Sequence, residues 1–229
     1  MDPARPSQGD SAQSPITVVD LIRHGSPVGG RKYRGQIDDP LSEPGWAQMR
    51  AAVEPYFVHG APWTRVVSST LSRCQAFAEE LAARLGVGAE LDDRLREVRF
   101  GAWEGRRGAE IDAEAPGTLQ AFYADPINAR PADAEPLMDF YDRAGSAFDD
   151  IVDRLAGEHV MVVTHAGVIR AISARVLGVP LSHMYRLQVA NASITRIRID
   201  GVRPPTLMFH GRDVAPNPAT EPVGEQSPG

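Results

Sequence analysis

The fold class is indicated by the segment Ile16-Thr-Val-Val-Asp-Leu-Ile-Arg-His-Gly25. Its apolar run predicts a buried strand, and the strand ends at a histidine followed by a glycine. The same pattern returns in Val160-Met-Val-Val-Thr-His-Ala-Gly167. Helical patterns and short connections separate the apolar runs, which is typical of a parallel or mixed sheet covered on both faces. We therefore predict an α/β fold with three layers, in which helices cover both faces of a mostly parallel central sheet.

The rest of the chain carries further strand and helix signals. Helices are predicted over residues 43–57, about 69–85, about 168–177 and about 137–155, and short strands over 65–68, 90–94, 193–199 and 206–209. Ser69 and Thr70 are the expected caps of the second helix. Residues 101–136 break the pattern with four prolines and only short helical pieces. We expect them to form a small helical cap inserted over one end of the sheet.

The two ends of the chain differ in composition from the middle. Residues 1–14 and 212–229 are rich in proline, glycine, serine and acidic residues, and they hold too little apolar surface to offset the entropy of the chain. We expect both ends to be disordered tails. Between them, residues 15–211 are predicted to form a single domain that includes the cap.

Composition excludes several classes of function. The formal net charge is -6, and no basic stripe of the kind that binds a nucleic-acid backbone is visible. Cys74 is the only cysteine, so neither an intrachain disulfide nor a cysteine-rich metal site can form. No run approaches the ~20 apolar residues of a membrane span, and residues 1–14 lack the apolar core of a signal peptide. These features predict a cytoplasmic protein without nucleic-acid or membrane partners, and they leave its oligomeric state open, with a homodimer as one alternative.

Candidate functional residues gather where strands are expected to end. Ligands of an open α/β sheet bind beyond the carboxyl ends of its strands, and His24 and His165 each follow such a strand. Arg73 lies in the first turn of a predicted helix, where anions are favoured, and Arg23 adjoins His24. Each residue alone is explained more simply by packing or solvation. Their co-occurrence, together with Glu97 in the segment 96–105, predicts a site for an anion.

Phosphoryl transfer fits these residue types. Arginine binds phosphate oxygens bidentately, and a neutral imidazole can attack phosphorus and hold the phosphoryl group covalently. A carboxyl group can protonate the leaving oxygen and then take a proton from the attacking water, which is typically worth ~10²–10⁴-fold in rate. The residues therefore point to phosphoryl transfer, most simply by a phosphatase, in which a histidine is the nucleophile.

The chain resembles the histidine phosphatase superfamily, also called the phosphoglycerate mutase-like family, over about residues 15–210. Five matching segments occur in order: Leu21–Gly25, Arg34–Gly45, Ser68–Cys74, Glu97–Gly105 and Val163–Arg170. The resemblance implies a phosphoglycerate mutase-like fold and an enzyme that needs neither a metal nor another cofactor.

The resemblance also implies a role for each matching residue. His24 would be the phosphorylated nucleophile, and Glu97 would donate and accept the proton. His165 would act beside them by binding the transferring phosphoryl group, as would Arg23 and Arg73. Gly35 aligns with a family glycine near the phosphate pocket.

The sequence departs from the family pattern at the loop after His24. Ser26 and Pro27 replace a common acidic and hydroxyl pair, and the region of Gly30 lacks the family's asparagine. The missing amide puts one phosphate contact in doubt, which backbone N–H groups or Arg31 would have to replace.

Within the family, the chain looks most like the bacterial α-ribazole phosphatase branch. The expected reaction is hydrolysis of a small phosphorylated metabolite through a phosphohistidine, with α-ribazole 5'-phosphate or a sugar phosphate as candidates. The acid-rich cap is expected to disfavour a multiply charged substrate. Two alternatives stay open: a mutase of the phosphoglycerate type, and a non-catalytic module that binds phosphorylated ligands.

Overall fold

The computed structural model describes residues 15–212. Its elements follow in the order β1 (Thr17–Arg23), α1 (Glu43–Phe57), β2 (Arg65–Ser69), α2 (Ser72–Leu85), β3 (Ala89–Asp92), α3 (Gly108–Glu114), α4 (Thr118–Ala124), α5 (Leu137–Arg154), β4 (His159–Thr164), α6 (Ala166–Leu177), β5 (Ile194–Ile199) and β6 (Thr206–Arg212). Short 3-10 turns cover Asp93–Leu95, Gly101–Trp103 and Leu181–Arg186.

The strands form one sheet in the order β3-β2-β4-β1-β5-β6. The first four of these are parallel to one another, and β5 and β6 complete the sheet with antiparallel pairing. The prediction of a mostly parallel α/β sheet is therefore confirmed.

Helices cover both faces of the sheet because residues along each central strand alternate between them. Leu21 and Val162 point into an apolar core shared with α5 and α6, whereas Ile22 and Val163 point into a second core. The second core is shared with α1 and α2. This alternation is the period-2 pattern of a strand that is buried on both faces.

Residues 101–136 contain α3 and α4 and pack on the first core through aromatic side chains. Phe122 is fully buried, with its ring centroid 5.2 Å from that of Trp103 and 5.0 Å from that of Tyr185. The rest of this segment is mostly exposed. It thus sits on the domain as a small helical layer.

Several predicted boundaries differ from the structure. The second helix begins at Ser72 with Leu71 at its N-cap, so Ser69 and Thr70 are not caps. Helix α6 begins at Ala166 and not near Val168, because His165 already occupies its N-cap. Strand β6 continues to Arg212, the first residue of the predicted C-terminal tail, because it pairs along β5. The predicted tails otherwise lie outside the described residues. Among residues 15–212, no helix is long and apolar enough to cross a membrane.

Candidate active site

The two predicted histidines meet because their strands are neighbours. Strands β1 and β4 pair in parallel with Arg23 opposite Thr164, so the residues that follow them leave the sheet side by side. The ring centroids of His24 and His165 lie 5.1 Å apart at an interplanar angle of 64°. The carboxyl edge of the sheet therefore brings together two imidazoles that are 141 positions apart in the chain.

His24 is held in one tautomer. Its Nδ1 lies 2.7 Å from the carbonyl oxygen of Gly25, which can only accept, so Nδ1 carries the hydrogen. Burial lowers the pKa of His24 well below its usual value, and the charges of Arg73 and Arg23 lower it further. The ring is therefore neutral, and its Nε2 carries a free lone pair. Asn191 fixes the backbone here by donating from Nδ2 to the carbonyl oxygen of His24 over 3.2 Å.

Two buried arginines lie beside this ring. Arg73 is 1% exposed, and its Nη1 and Nη2 donate to the carbonyl oxygens of Ile37 and Gly35. Arg23 donates from Nη1 to the carbonyl oxygen of Val189, and burial lowers its pKa to about 10. The buried Nε of each arginine has no hydrogen-bond partner among the described residues. A bound anion would satisfy such groups.

Glu97 faces the same place from the loop after β3. Its Oε1 accepts from the backbone N–H of Val98, and its Oε2 accepts from the N–H of Gly167 over 3.2 Å. Arg143 fixes the backbone of Glu97 by donating from Nη2 to its carbonyl oxygen. A Cβ at Gly167 would lie 2.1 Å from Glu97 Oε1, so only glycine leaves room for the carboxyl group.

His165 is fully buried. Its Nε2 lies 2.8 Å from Ser69 Oγ and 3.5 Å from Cys74 Sγ. Burial lowers the pKa of His165 well below its usual value, with Arg73 as the next cause. Burial raises the pKa of the Cys74 thiol, which keeps it protonated and unreactive.

Gly35 lies where the backbone needs a positive φ, of +53°. A Cβ there would lie 1.9 Å from Glu104 Oε1, which accepts from the backbone N–H groups of Gln36 and Phe100. The carbonyl oxygen of Gly35 in turn anchors Arg73. Gly35 therefore shapes the wall of the site and orients one of its arginines.

A cavity of about 580 Å³ joins these residues. Arg23, His24, Gly35, Arg73 and Glu97 all line it, whereas His165 does not and lies against His24. The structure thus gathers all six predicted site residues, five of them at the cavity surface.

Several cavity-lining residues were missing from the predicted set of site residues, although Arg31 had been named as one candidate to replace the family's asparagine contact. They are Arg31, Lys32, Tyr33, Arg34, Phe100, Arg107, Gly108, Ala109, Leu119, Tyr123, Ala166 and Arg170. Three of them, Arg31, Lys32 and Arg34, could have been found from the sequence, because they form a cluster of cations in the loop that departs from the family pattern. Arg107, Leu119 and Tyr123 come from the cap segment, whose irregular pattern predicted no orientation.

The expectation of an acidic entrance is wrong for this cavity. Its lining contains seven cationic side chains and one carboxylate, Glu97. The acidic residues of the cap segment are engaged elsewhere: Glu110 and Asp112 accept from backbone N–H groups, and Glu114 and Glu135 pair with Arg106 and Arg143. Composition alone could not show which way these side chains turn.

Within the described part of the chain, no group of three or more histidine, cysteine or acidic residues is placed to hold a metal ion.

Comparison with known proteins gives one consistent family. The family model described as the histidine phosphatase superfamily (branch 1) matches residues 19–210. A glucosyl-3-phosphoglycerate phosphatase from Mycolicibacterium vanbaalenii is 34% identical over 172 residues, which cover 71% of this chain and 75% of the relative. A probable phosphoglycerate mutase GpmB from Erwinia tasmaniensis is 29% identical over 181 residues, which cover 78% and 83%.

A solved structure supports the same fold. The α-ribazole phosphatase from Shigella flexneri superimposes with a TM-score of 0.75, covering 87% of this chain and 98% of that one at 24% sequence identity. At this identity the likeness shows the fold alone. It confirms the predicted fold. The family match and the phosphatase relative confirm the predicted class of enzyme, a phosphatase, and the chain belongs to the histidine phosphatase superfamily, branch 1.

Proposed function

We propose that this protein hydrolyses a small phosphomonoester through a phosphohistidine at His24. Nε2 of His24 attacks phosphorus, the bond from phosphorus to the ester oxygen breaks, and Glu97 gives that oxygen a proton so that the alcohol leaves. Glu97 then takes a proton from a water molecule, whose oxygen attacks the phosphoryl group. The phosphorus–nitrogen bond breaks, inorganic phosphate leaves, and His24 is restored.

One observation carries this proposal: the neutral His24 ring, with its hydrogen held on Nδ1, lies beside two buried arginines whose Nε–H groups find no partner within residues 15–212. A nucleophile with a free lone pair and donors for phosphoryl oxygens are what an in-line transfer needs. Arg23 and Arg73 would bind the phosphoryl oxygens, with His165 as a further donor and Gly35 shaping the pocket.

We also propose that the reaction needs no metal ion or other cofactor, because arginines supply the positive charge that a metal would otherwise bring. Residues 101–136 would act as the cap that selects the leaving group, since Arg107, Leu119 and Tyr123 reach the cavity from it. A cytoplasmic location stays a prediction from the sequence, and the oligomeric state stays open, with a homodimer as one alternative.

The candidate substrates are small phosphorylated metabolites. The sequence suggests α-ribazole 5'-phosphate or a sugar phosphate, and the name of the mycobacterial relative adds glucosyl-3-phosphoglycerate. The wall formed by Tyr33, Leu119 and Tyr123 supports a leaving group with both apolar and hydroxyl surface, because Tyr33 and Tyr123 present hydroxyl groups 3.0 Å apart.

The decisive experiment is a phosphate-release screen over such monoesters with His24→Ala as the blank. We expect kcat/KM to fall on the order of 10³-fold or more, as for other lost nucleophiles. His59→Ala, in an exposed residue outside the cavity, is the control. The wild type should form an acid-labile phosphohistidine in rapid-quench experiments, and a chelator should not slow it. Wild-type-like turnover by His24→Ala would refute the mechanism.

A mutase is a second candidate, and the cationic lining favours it more than the sequence did. A mutase returns the phosphoryl group to an anionic intermediate, and seven cations around the cavity would retain a bisphosphate. Incubation with 3-phosphoglycerate and a bisphosphate primer separates the two: isomerisation without free phosphate supports the mutase, and phosphate release supports the hydrolase. A binding module without catalysis would show phosphate binding but no turnover of activated aryl phosphates.

A further inference from the structure

A second cavity, of about 740 Å³, adjoins the phosphoryl site. The two cavities share part of their walls, namely Arg23, Arg31, Lys32, Arg34, Ala166 and Arg170. The second cavity is also lined by the loop after His24, at residues 26–30, and by residues 188–191. A ligand whose phosphate lies against His24 can therefore extend past Arg23 into this space.

The lining of the second cavity is cationic without a balancing acid. Five of its side chains are arginine or lysine, and none is aspartate or glutamate. Lys32 and Arg34 share the carboxylate of Asp39, which lies outside the lining. Arg23 donates to the carbonyl oxygen of Val189 and faces the phosphoryl site as well.

Arg31 and Arg170 remain available. Arg31 has no hydrogen bond or ion pair with any residue in the described range 15–212. Arg170 is held in place by the hydrogen bond from its Nε to the carbonyl oxygen of Leu187, 2.8 Å away, and its guanidinium lies 5.5 Å from the centre of the Tyr185 ring. Its two Nη groups bond to nothing in the same range, so a positioned donor pair faces the cavity.

Grouping like charges costs free energy. The pKa of Arg23 reflects this cost: burial lowers it most, and the nearby charges of Arg170 and Arg31 lower it further. An anion bound between the cations removes that repulsion and gains charge-assisted hydrogen bonds. One phosphate dianion at His24 satisfies Arg23 and Arg73, and it leaves Arg31 and Arg170 without a counter-charge.

We propose that the substrate carries a second anionic group, a carboxylate or a second phosphate, which Arg31 and Arg170 bind in the cavity bounded by residues 26–30 and 188–191. This inference rests on the proposed phosphatase function and narrows its substrate class from phosphomonoesters in general to those with a further negative charge on the leaving group. The second anion belongs to the substrate and is not a free ion.

The test uses matched pairs that differ only in that charge. 3-Phosphoglycerate is compared with glycerol 3-phosphate, and 2-phosphoglycerate with glycerol 2-phosphate, so that a carboxylate becomes a CH₂OH group. We expect wild-type kcat/KM to favour the carboxylate member of at least one pair by about 10–100-fold, the factor for a charge-assisted hydrogen bond in a cavity. Arg31→Gln and Arg170→Gln should each reduce this ratio toward one, while Arg65→Gln, at an exposed ion pair on β2, should keep it.

Measuring substrate binding to the His24→Ala variant tests the subsite separately from catalysis. Calorimetry with the same pairs, and with fructose 1,6-bisphosphate against fructose 6-phosphate, should show the same preference as a ratio of Kd values. Equal affinity within every pair, or a preference that survives in both arginine variants, would overturn the subsite. So would activation of glycerol phosphate hydrolysis by free acetate or phosphate, which would make the ligand a separate ion. Failure of the proposed function gives a different result, since the wild-type enzyme would then form no phosphohistidine with any member of a pair as substrate.

Discussion

The hydroxyl of Ser69 lies within hydrogen-bond distance of a ring nitrogen of His165. Ser69 Oγ accepts from the backbone N–H of Leu71 at 3.3 Å and lies 2.8 Å from His165 Nε2. Among residues 15–212 the Ser69 hydroxyl hydrogen has no other acceptor, so we infer that it is donated to Nε2 of His165. Because the lowered pKa keeps the ring neutral, its single hydrogen then lies on Nδ1. In the proposed mechanism, Nδ1–H would be the donor for a phosphoryl oxygen.

Ser69→Ala should therefore weaken catalysis without removing any group that touches the substrate. We expect a 10–100-fold lower kcat/KM, the range for losing the partner of a buried polar atom. Ser69→Thr keeps the hydroxyl and should restore most of the activity. Thr70→Ala is the matched control, since Thr70 Oγ1 donates outward to Asp93. Nitrogen NMR of His165 should show the hydrogen on Nδ1 in the wild type and a mixture in Ser69→Ala; an unchanged spectrum would contradict this account.

Among the elements, the start of helix α6 positions Glu97, the proposed acid–base group. The first N–H groups of a helix have no partner within it, and here the N–H of Gly167 donates to Glu97 Oε2. The positive end of the helix dipole also points toward the carboxylate. The absence of a side chain at Gly167 lets the two approach.

Gly167→Ala should displace Glu97, because the new Cβ would lie 2.1 Å from Glu97 Oε1. Proton transfer to the leaving oxygen would suffer most, so kcat should fall about 10²-fold, the lower end of what general acid–base catalysis contributes. Aryl phosphates with good leaving groups need that proton less and should be affected less. Gly88→Ala, where a Cβ meets no atom within 4 Å, is the control and should leave both kinetics and Tm near wild type.

The sequence predicted elements well where one pattern decides them. The strands that carry His24 and His165 are buried on both faces, so their apolar runs were unambiguous, and α1 matches its predicted bounds, Glu43–Phe57. The predicted helix start was wrong where a polar side chain makes a different hydrogen bond. Ser69 and Thr70 have the chemistry of caps, but their hydroxyls face His165 and Asp93. That choice depends on contacts across the fold, which local sequence does not contain.

At the scale of the whole molecule, net charge and site charge have opposite signs. The chain carries a formal charge of -6, and yet its cavity is lined by seven cations and one carboxylate. Many acidic side chains form exposed ion pairs, such as Glu54 with Arg84 and Glu80 with Arg50. The predicted site residues could be found from motifs at strand ends and from the family resemblance, whereas the charge of the entrance depends on side-chain directions. A local field of this kind draws in anions although the molecule as a whole repels them.

The sheet is also tied together by a buried charge remote from catalysis. Asp20, fully buried in β1, accepts two hydrogen bonds from Arg196 and one from Trp63 Nε1, and its Oδ2 lies 3.0 Å from His159 Nε2. Burial acts to raise the pKa of Asp20, but the hydrogen bonds and charges of Arg196 and His159 outweigh it and hold the pKa below its usual value. The carboxylate thus links β1 to β4 and β5.

Asp20→Asn should destabilise the fold by about 3–5 kcal/mol at pH 7, because it removes the buried negative charge that faces Arg196. A carboxyl whose pKa is lower in the folded state stabilises the protein above its unfolded pKa, and this contribution is lost as the pH falls through the folded value. The difference between the wild type and Asp20→Asn should therefore shrink below about pH 4. Urea unfolding across pH measures it, with Asp149→Asn, which breaks an exposed pair with Arg175, as the control expected to cost less than about 1 kcal/mol. Equal costs for the two variants at pH 7 would show that the buried network contributes no more than a surface ion pair.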